Sequence, residues 1–125
     1  MNLTTNFTLA EFASKCGRRT PAAALANLRI LAANLQALRD HLGRSIRINS
    51  GYRSPEHNKA IGGASESQHV LGMAADITVD GMTPKQVHAA IEKLISEGKM
   101  REGGLGLYAT WVHYDVRGTK ARWTK

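Results

Sequence analysis

At 125 residues, 42% of them hydrophobic and 22% charged, the chain is long enough for one domain, spanning 1–125, with a single buried core. A lone cysteine, Cys16, excludes an internal disulfide framework, and the opening MNLTTNFTLAEF has neither a basic leader nor an apolar run of membrane-spanning length, so accumulation in the cytoplasm is expected. A net charge of +7 points to anionic partners, either nucleic acid or an anionic cell-wall surface. The first element in the chain is Thr8-Leu9-Ala10-Glu11, which reads as a capping box opening a short helix that buries Phe7, Leu9 and Phe12. Thr20-Pro21 then marks a second helix start. Leu28, Leu31, Leu35, Leu38 and Leu42 fall at helical spacing and predict a core helix from about Ala22 to His41, closed by Gly43. The stripe covers too few heptads for a dimerising zipper.

Ile46-Arg47-Ile48-Asn49 alternates like a strand and delivers Arg53 to its far end, where a rigid element would hold it at the rim of a site. Pro55 starts a short helix over Ser54 to Ile61, which Gly62-Gly63 breaks. Ala75 to Val79 is a second strand. Thr83-Pro84 opens another helix, with Val87, Ala90, Ile91, Leu94 and Ile95 on its apolar face. Gly103 to Tyr108 follows as a glycine-rich strand whose glycines are expected to admit substrate backbone. A short turn at Ala109-Thr110 leads into Trp111 to Val116, where alternation sets Trp111, His113 and Asp115 on one face and Val112, Tyr114 and Val116 on the other. These elements predict an α+β domain, with helices packed on a small, largely antiparallel sheet.

The chemistry concentrates in Ser50–Ile77 and Trp111–Arg117. His69, Asp76 and His113 form a candidate three-ligand set, because zinc accepts imidazole nitrogen and carboxylate oxygen and keeps a fourth position for water. His69 and Asp76 are seven residues apart, roughly 10 Å along a straight helix and about twice that along an extended strand. The segment between them is therefore expected to double back, with Gly72 at the turn and the small Ala74 and Ala75 beyond it.

Ser67-Gln68-His69-Val70-Leu71-Gly72-Met73-Ala74-Ala75-Asp76 resembles the SxHxxGxAxD signature of the zinc D-Ala-D-Ala carboxypeptidase group of peptidoglycan peptidases, the peptidase M15 family, which includes phage endolysins. Ser50-Gly51-Tyr52-Arg53-Ser54 resembles the SGYRS motif of that group, and Val112 to Arg117 its closing HxD element. The resemblance spans about residues 20–118. It implies Zn2+ held by His69, Asp76 and His113, with Arg53 steadying a substrate carbonyl or carboxylate and Ser67 binding substrate beside Gln68. It also implies hydrolysis of an amide bond in peptidoglycan stem peptides, either the terminal D-Ala-D-Ala bond or an internal L-Ala-D-Glu bond. Such an enzyme acts at the cell wall, and one without its own leader would need release by another factor.

One departure from the pattern concerns the general base. Several branches of the group carry an acid three residues before the last histidine, and this chain has Thr110 there. Asp115, on the His113 face, is the replacement in reach, with the alternative that it is only a hydrogen-bond partner of His113. Two other classes remain open. The missing acid suits a noncatalytic zinc-containing wall-binding module, and the charge suits a nucleic-acid binder. The latter is disfavoured because the basic residues are spread and lack interleaved aromatics.

Overall fold

The computed structural model describes residues 1–17, 19–63 and 67–125. In chain order the elements are α1 (Leu9–Phe12), α2 (Ala22–Leu42), β1 (Ile46–Ser50), α3 (Pro55–Ala60), β2 (Ala74–Val79), α4 (Pro84–Ser96), β3 (Gly104–Leu107), β4 (Val112–Asp115) and β5 (Ala121–Thr124). The strands form one sheet in the order β1-β2-β4-β3-β5. The β1/β2, β2/β4 and β3/β4 pairs are antiparallel, and β3/β5 is parallel.

The two faces of this sheet have separate duties. Ala75, Ile77 and Val79 of β2, Val112 and Tyr114 of β4 and Leu105 of β3 are buried in the core. They meet Leu28, Leu31, Leu35 and Leu38 of α2 and Val87, Ile91 and Leu94 of α4, which belong to the same cluster. Fully burying one leucine stabilises by about 1.5–3 kcal/mol, so this helix-covered face supplies most of the driving force for folding. Because side chains alternate along a strand, the intervening positions Asp76, His113 and Asp115 come out on the opposite face. The core helices thus hold the backbone of the site from behind.

Local sequence sets the ends of each helix. Gly43 takes the left-handed conformation (φ 63°) at the end of α2 and its N–H bonds the Arg39 carbonyl. Thr83 and Gln86 cap α4 reciprocally, with Pro84 in its first turn. The start of α2 lies one residue later than Thr20-Pro21 suggests, with Pro21 itself at the N-cap and no side-chain cap bond.

β5 is absent from the sequence expectations, which place no element after Trp111 to Val116. Arg122 fastens it, donating from Nε and Nη2 to Glu92 Oε1 (3.1 and 2.9 Å) on α4, from Nη2 to Glu102 Oε2 (2.8 Å) and from Nη1 to the Gly103 carbonyl (2.7 Å). Hydrogen bonding from Arg122 lowers the pKa of both glutamates. Arg122 is therefore a strand anchor, and its charge is matched locally.

Candidate metal centre

His69 arrives in the site on a turn, and Asp76 and His113 arrive on strands. Residues 68–72 double back through bonds from the Leu71 N–H to the Gln68 carbonyl (3.2 Å) and from the Gly72 N–H to the His69 carbonyl (3.2 Å). Gly72 has φ 75°, and a Cβ there would lie 2.6 Å from the Ala24 carbonyl oxygen of α2. Only glycine satisfies both the backbone angle and the close approach. Asp76 on β2 and His113 on β4 are direct cross-strand partners, which places them side by side.

The donor atoms converge. Asp76 Oδ1 lies 3.3 Å from His69 Nε2 and 3.2 Å from His113 Nδ1, and the three residues form a group able to hold a metal ion. Donors about 2.0–2.1 Å from a tetrahedral ion stand about 3.3 Å from one another. The 3.2–3.3 Å spacing therefore fits a small tetrahedral cation.

Tautomers strengthen that fit. His69 Nδ1 is 2.8 Å from the Gly51 carbonyl oxygen, which can only accept, so Nδ1 carries the proton and Nε2 presents its lone pair to the cluster. His113 Nε2 is 2.7 Å from Asp115 Oδ2, so a neutral His113 donates from Nε2 and leaves Nδ1 free toward the cluster. Two lone pairs aimed at one carboxylate oxygen repel unless a cation stands among them. Burial opposes a charged His113, but hydrogen bonding to the Asp115 and Asp76 carboxylates outweighs it and raises its pKa. Burial likewise pushes Asp76 up, yet the His113 and His69 imidazoles beside it hold it well below the usual carboxylate range.

Each ligand has its own support. Arg53 donates from Nη2 to Asp76 Oδ2 (3.4 Å), from Nε to Ser50 Oγ (3.2 Å) and from Nη1 to Asn58 Oδ1 (3.4 Å). It therefore occupies the rim, as its place after β1 suggests, and leaves Oδ1 of Asp76 for the cluster. The Ser67 hydroxyl accepts from the His69 N–H (3.2 Å), while Ser67 and Gln68 both line the cleft.

Asp115 does not have the geometry the base assignment requires. It is fully buried. Oδ2 accepts from His113 Nε2 and from Arg117 Nη2 (2.8 Å), and Oδ1 from the Gly104 N–H (2.8 Å) and Arg117 Nε (2.9 Å). The residue stands behind His113, on the side away from the converging donors. Burial raises its pKa, but the bonds from His113, Arg117 and the Gly104 amide overcome this and hold it below the carboxylate range. Thr110, the position where other branches carry an acid, lies exposed between β3 and β4.

The expectation that the β3 glycines admit substrate is corrected. A Cβ at Gly103 would collide with the Asp115 carbonyl oxygen, and one at Gly104 with its carboxylate. A Cβ at Gly106 would enter the Trp123 indole, 2.8 Å from Cζ2 and closer still to Nε1. These glycines make room for Asp115 and Trp123. Gly106→Ala is expected to lower stability by about 1–3 kcal/mol through overpacking, read as a lower urea midpoint. A wild-type midpoint would contradict this close approach.

Trp123 completes a row of registered positions across the sheet: Asp76, His113, Gly106, Trp123. Its ring centroid is 4.9 Å from that of His113, and Arg117 Cζ is 5.7 Å from its centre. Tyr108 and Trp111 stack at 4.5 Å and 13°. With Arg53, Ser67, Gln68 and the three candidate ligands, these aromatics line a cleft of about 400 Å³. Reading in sequence order missed this aromatic wall, although Trp111 and Trp123 are the only tryptophans in the chain.

Residues 5–115 match the family model described as Peptidase M15. The chain belongs to the peptidase M15 family. Among the relatives of this peptidase M15 chain is the zinc D-Ala-D-Ala carboxypeptidase of Streptomyces albus G, 40% identical over 79 residues. That match covers 58% of this chain and 31% of the relative, so the chain aligns with less than a third of the relative's length. Among the described residues, no helix is long and apolar enough to cross a membrane.

Proposed function

We propose that the chain is a zinc metallopeptidase that hydrolyses an amide bond in the stem peptides of peptidoglycan. The observation that carries this reading is the convergence of His69 Nε2, Asp76 Oδ1 and His113 Nδ1, with both imidazole tautomers set by partners outside the cluster. A donor set of two imidazoles and one carboxylate suits zinc, and three protein ligands leave room for chemistry at a fourth position. Zinc, when bound, supplies a Lewis acid that polarises a carbonyl and acidifies water.

The remaining roles belong to the chain's own side chains. Arg53, held by Ser50, Asn58 and Asp76, steadies the carbonyl or carboxylate of a substrate entering from the rim. Ser67 and Gln68 line the same cleft and orient peptide groups. Asp115 positions His113 and balances Arg117, so the proton acceptor for hydrolysis is a group other than Asp115. The scissile bond is the D-Ala-D-Ala or the L-Ala-D-Glu linkage. A phage endolysin working on an anionic wall is the setting that the basic composition favours.

Chelation followed by metal return tests the reading. Hydrolysis of a soluble stem pentapeptide is expected to disappear on dialysis against a chelator and to recover with one equivalent of Zn2+ per chain. Turnover that survives full metal removal would reject the assignment.

A further inference from the structure

We infer that Tyr108 contacts the substrate, its hydroxyl donating a hydrogen bond to a peptide carbonyl oxygen of the bound stem peptide, and that Trp123 orients that hydroxyl. The inference rests on the peptidase reading and adds to it a residue pair from the aromatic wall. Trp123 lies beyond the residues 5–115 that match the family model.

A phenol has one proton to donate and lone pairs to accept with, whereas an indole N–H can only donate. Trp123 Nε1 lies 3.0 Å from the Tyr108 hydroxyl oxygen, so in this contact Tyr108 is the acceptor. Its own proton is directed elsewhere. Among the described residues no acceptor takes that proton, and Tyr108 lines the cleft together with His69, Asp76 and His113. The ring has little freedom to turn away. It is stacked on Trp111 at 4.5 Å, and the Tyr108 N–H bonds the Trp111 carbonyl (3.0 Å) across the β3/β4 turn.

The position of the hydroxyl follows from its donor. The Trp123 ring packs against His113, and Gly106 lacks a side chain so that the indole can lie there. β5 itself is fixed by Arg122 on Glu92 and Glu102. The Tyr108 hydroxyl is thus held on a rigid frame in the cleft it shares with His113, with its proton turned away from Trp123. A preoriented neutral donor of this kind finds its natural acceptor in the carbonyl of an extended peptide.

The test compares Tyr108→Phe, Trp123→Phe and the double variant with wild type, using the zinc-loaded protein and a soluble stem pentapeptide. Tyr108→Phe keeps the stack and is expected to lower kcat/KM about tenfold, the effect of one hydrogen bond, with zinc content unchanged and the protein still folded by circular dichroism. Trp123→Phe keeps a ring beside His113 but removes the N–H, and is expected to give a smaller loss. Because the two residues act through one hydroxyl, the double variant is expected to be no worse than Tyr108→Phe alone. Wild-type kcat and KM in Tyr108→Phe would overturn the inference, as would losses that multiply in the double variant. Failure of the peptidase reading has a separate signature, a wild-type protein that is itself inactive.

Discussion

Asp115→Asn is expected to lower both activity and stability, although Asp115 lies outside the group of converging donors. The carboxylate accepts five hydrogen bonds, from His113, from the Gly104 amide, from the Arg117 amide and twice from the Arg117 side chain. An amide of the same shape presents one oxygen and one NH2, so it cannot accept from all of them. With no charge to face, His113 loses the partner that keeps its proton on Nε2, and Nδ1 is no longer held free for the cluster. Loss of such an outer partner typically costs 10–100-fold in metal affinity or activity, and about that loss is expected in each. Removing one member of a buried ion pair adds about 3 kcal/mol of destabilisation, moderated here because Arg117 is partly exposed. Zinc titration and urea unfolding of the same variant measure the two effects. Were Asp115 the general base instead, Asp115→Asn would abolish turnover while zinc affinity stayed at the wild-type value.

His69→Ala is expected to abolish zinc binding and turnover together, with a larger effect than any outer-partner change. Removal of one of three protein donors is expected to weaken binding by more than about a hundredfold, beyond the range seen for outer partners. The substitution also strands the Gly51 carbonyl, to which His69 Nδ1 donates at 2.8 Å, at a cost of about 1–3 kcal/mol. Circular dichroism alongside the zinc titration separates lost metal from lost fold. A folded His69→Ala protein that retained tight zinc and full activity would remove His69 from the ligand set.

Much of this could be read from order and spacing alone. The leucine stripe of α2 and the alternation of β1, β2 and β4 report local periodicities, and each strand or helix shows them whatever it packs against. His69, Asp76 and His113 were legible as a set because metal ligands are a chemical class as well as a position. Alternation also put His113 and Asp115 on one face, which the structure bears out. It could not say that β3 lies over Asp115, because that depends on a neighbour eleven residues away whose Gly104 N–H closes the contact. β5 was illegible for a related reason. Ala-Arg-Trp-Thr alternates over too few residues to mark a strand, and its stability comes from parallel pairing with β3 and from the Arg122 ion pairs. The aromatic wall was hidden with it. Tyr108, Trp111 and Trp123 meet only once β5 is in place, and the β3 glycines read as substrate space until the residues filling that space are known.

The central claim is metal-dependent cleavage of peptidoglycan stem peptides at the His69, Asp76 and His113 cluster. Its most direct test is to incubate purified peptidoglycan with the zinc-loaded protein, beside a His69→Ala control, and identify the released products by mass spectrometry. The account predicts stem-peptide fragments or free D-alanine from the zinc-loaded wild type alone, and the fragment masses would name the bond. No released product from a folded protein carrying one zinc per chain would contradict it.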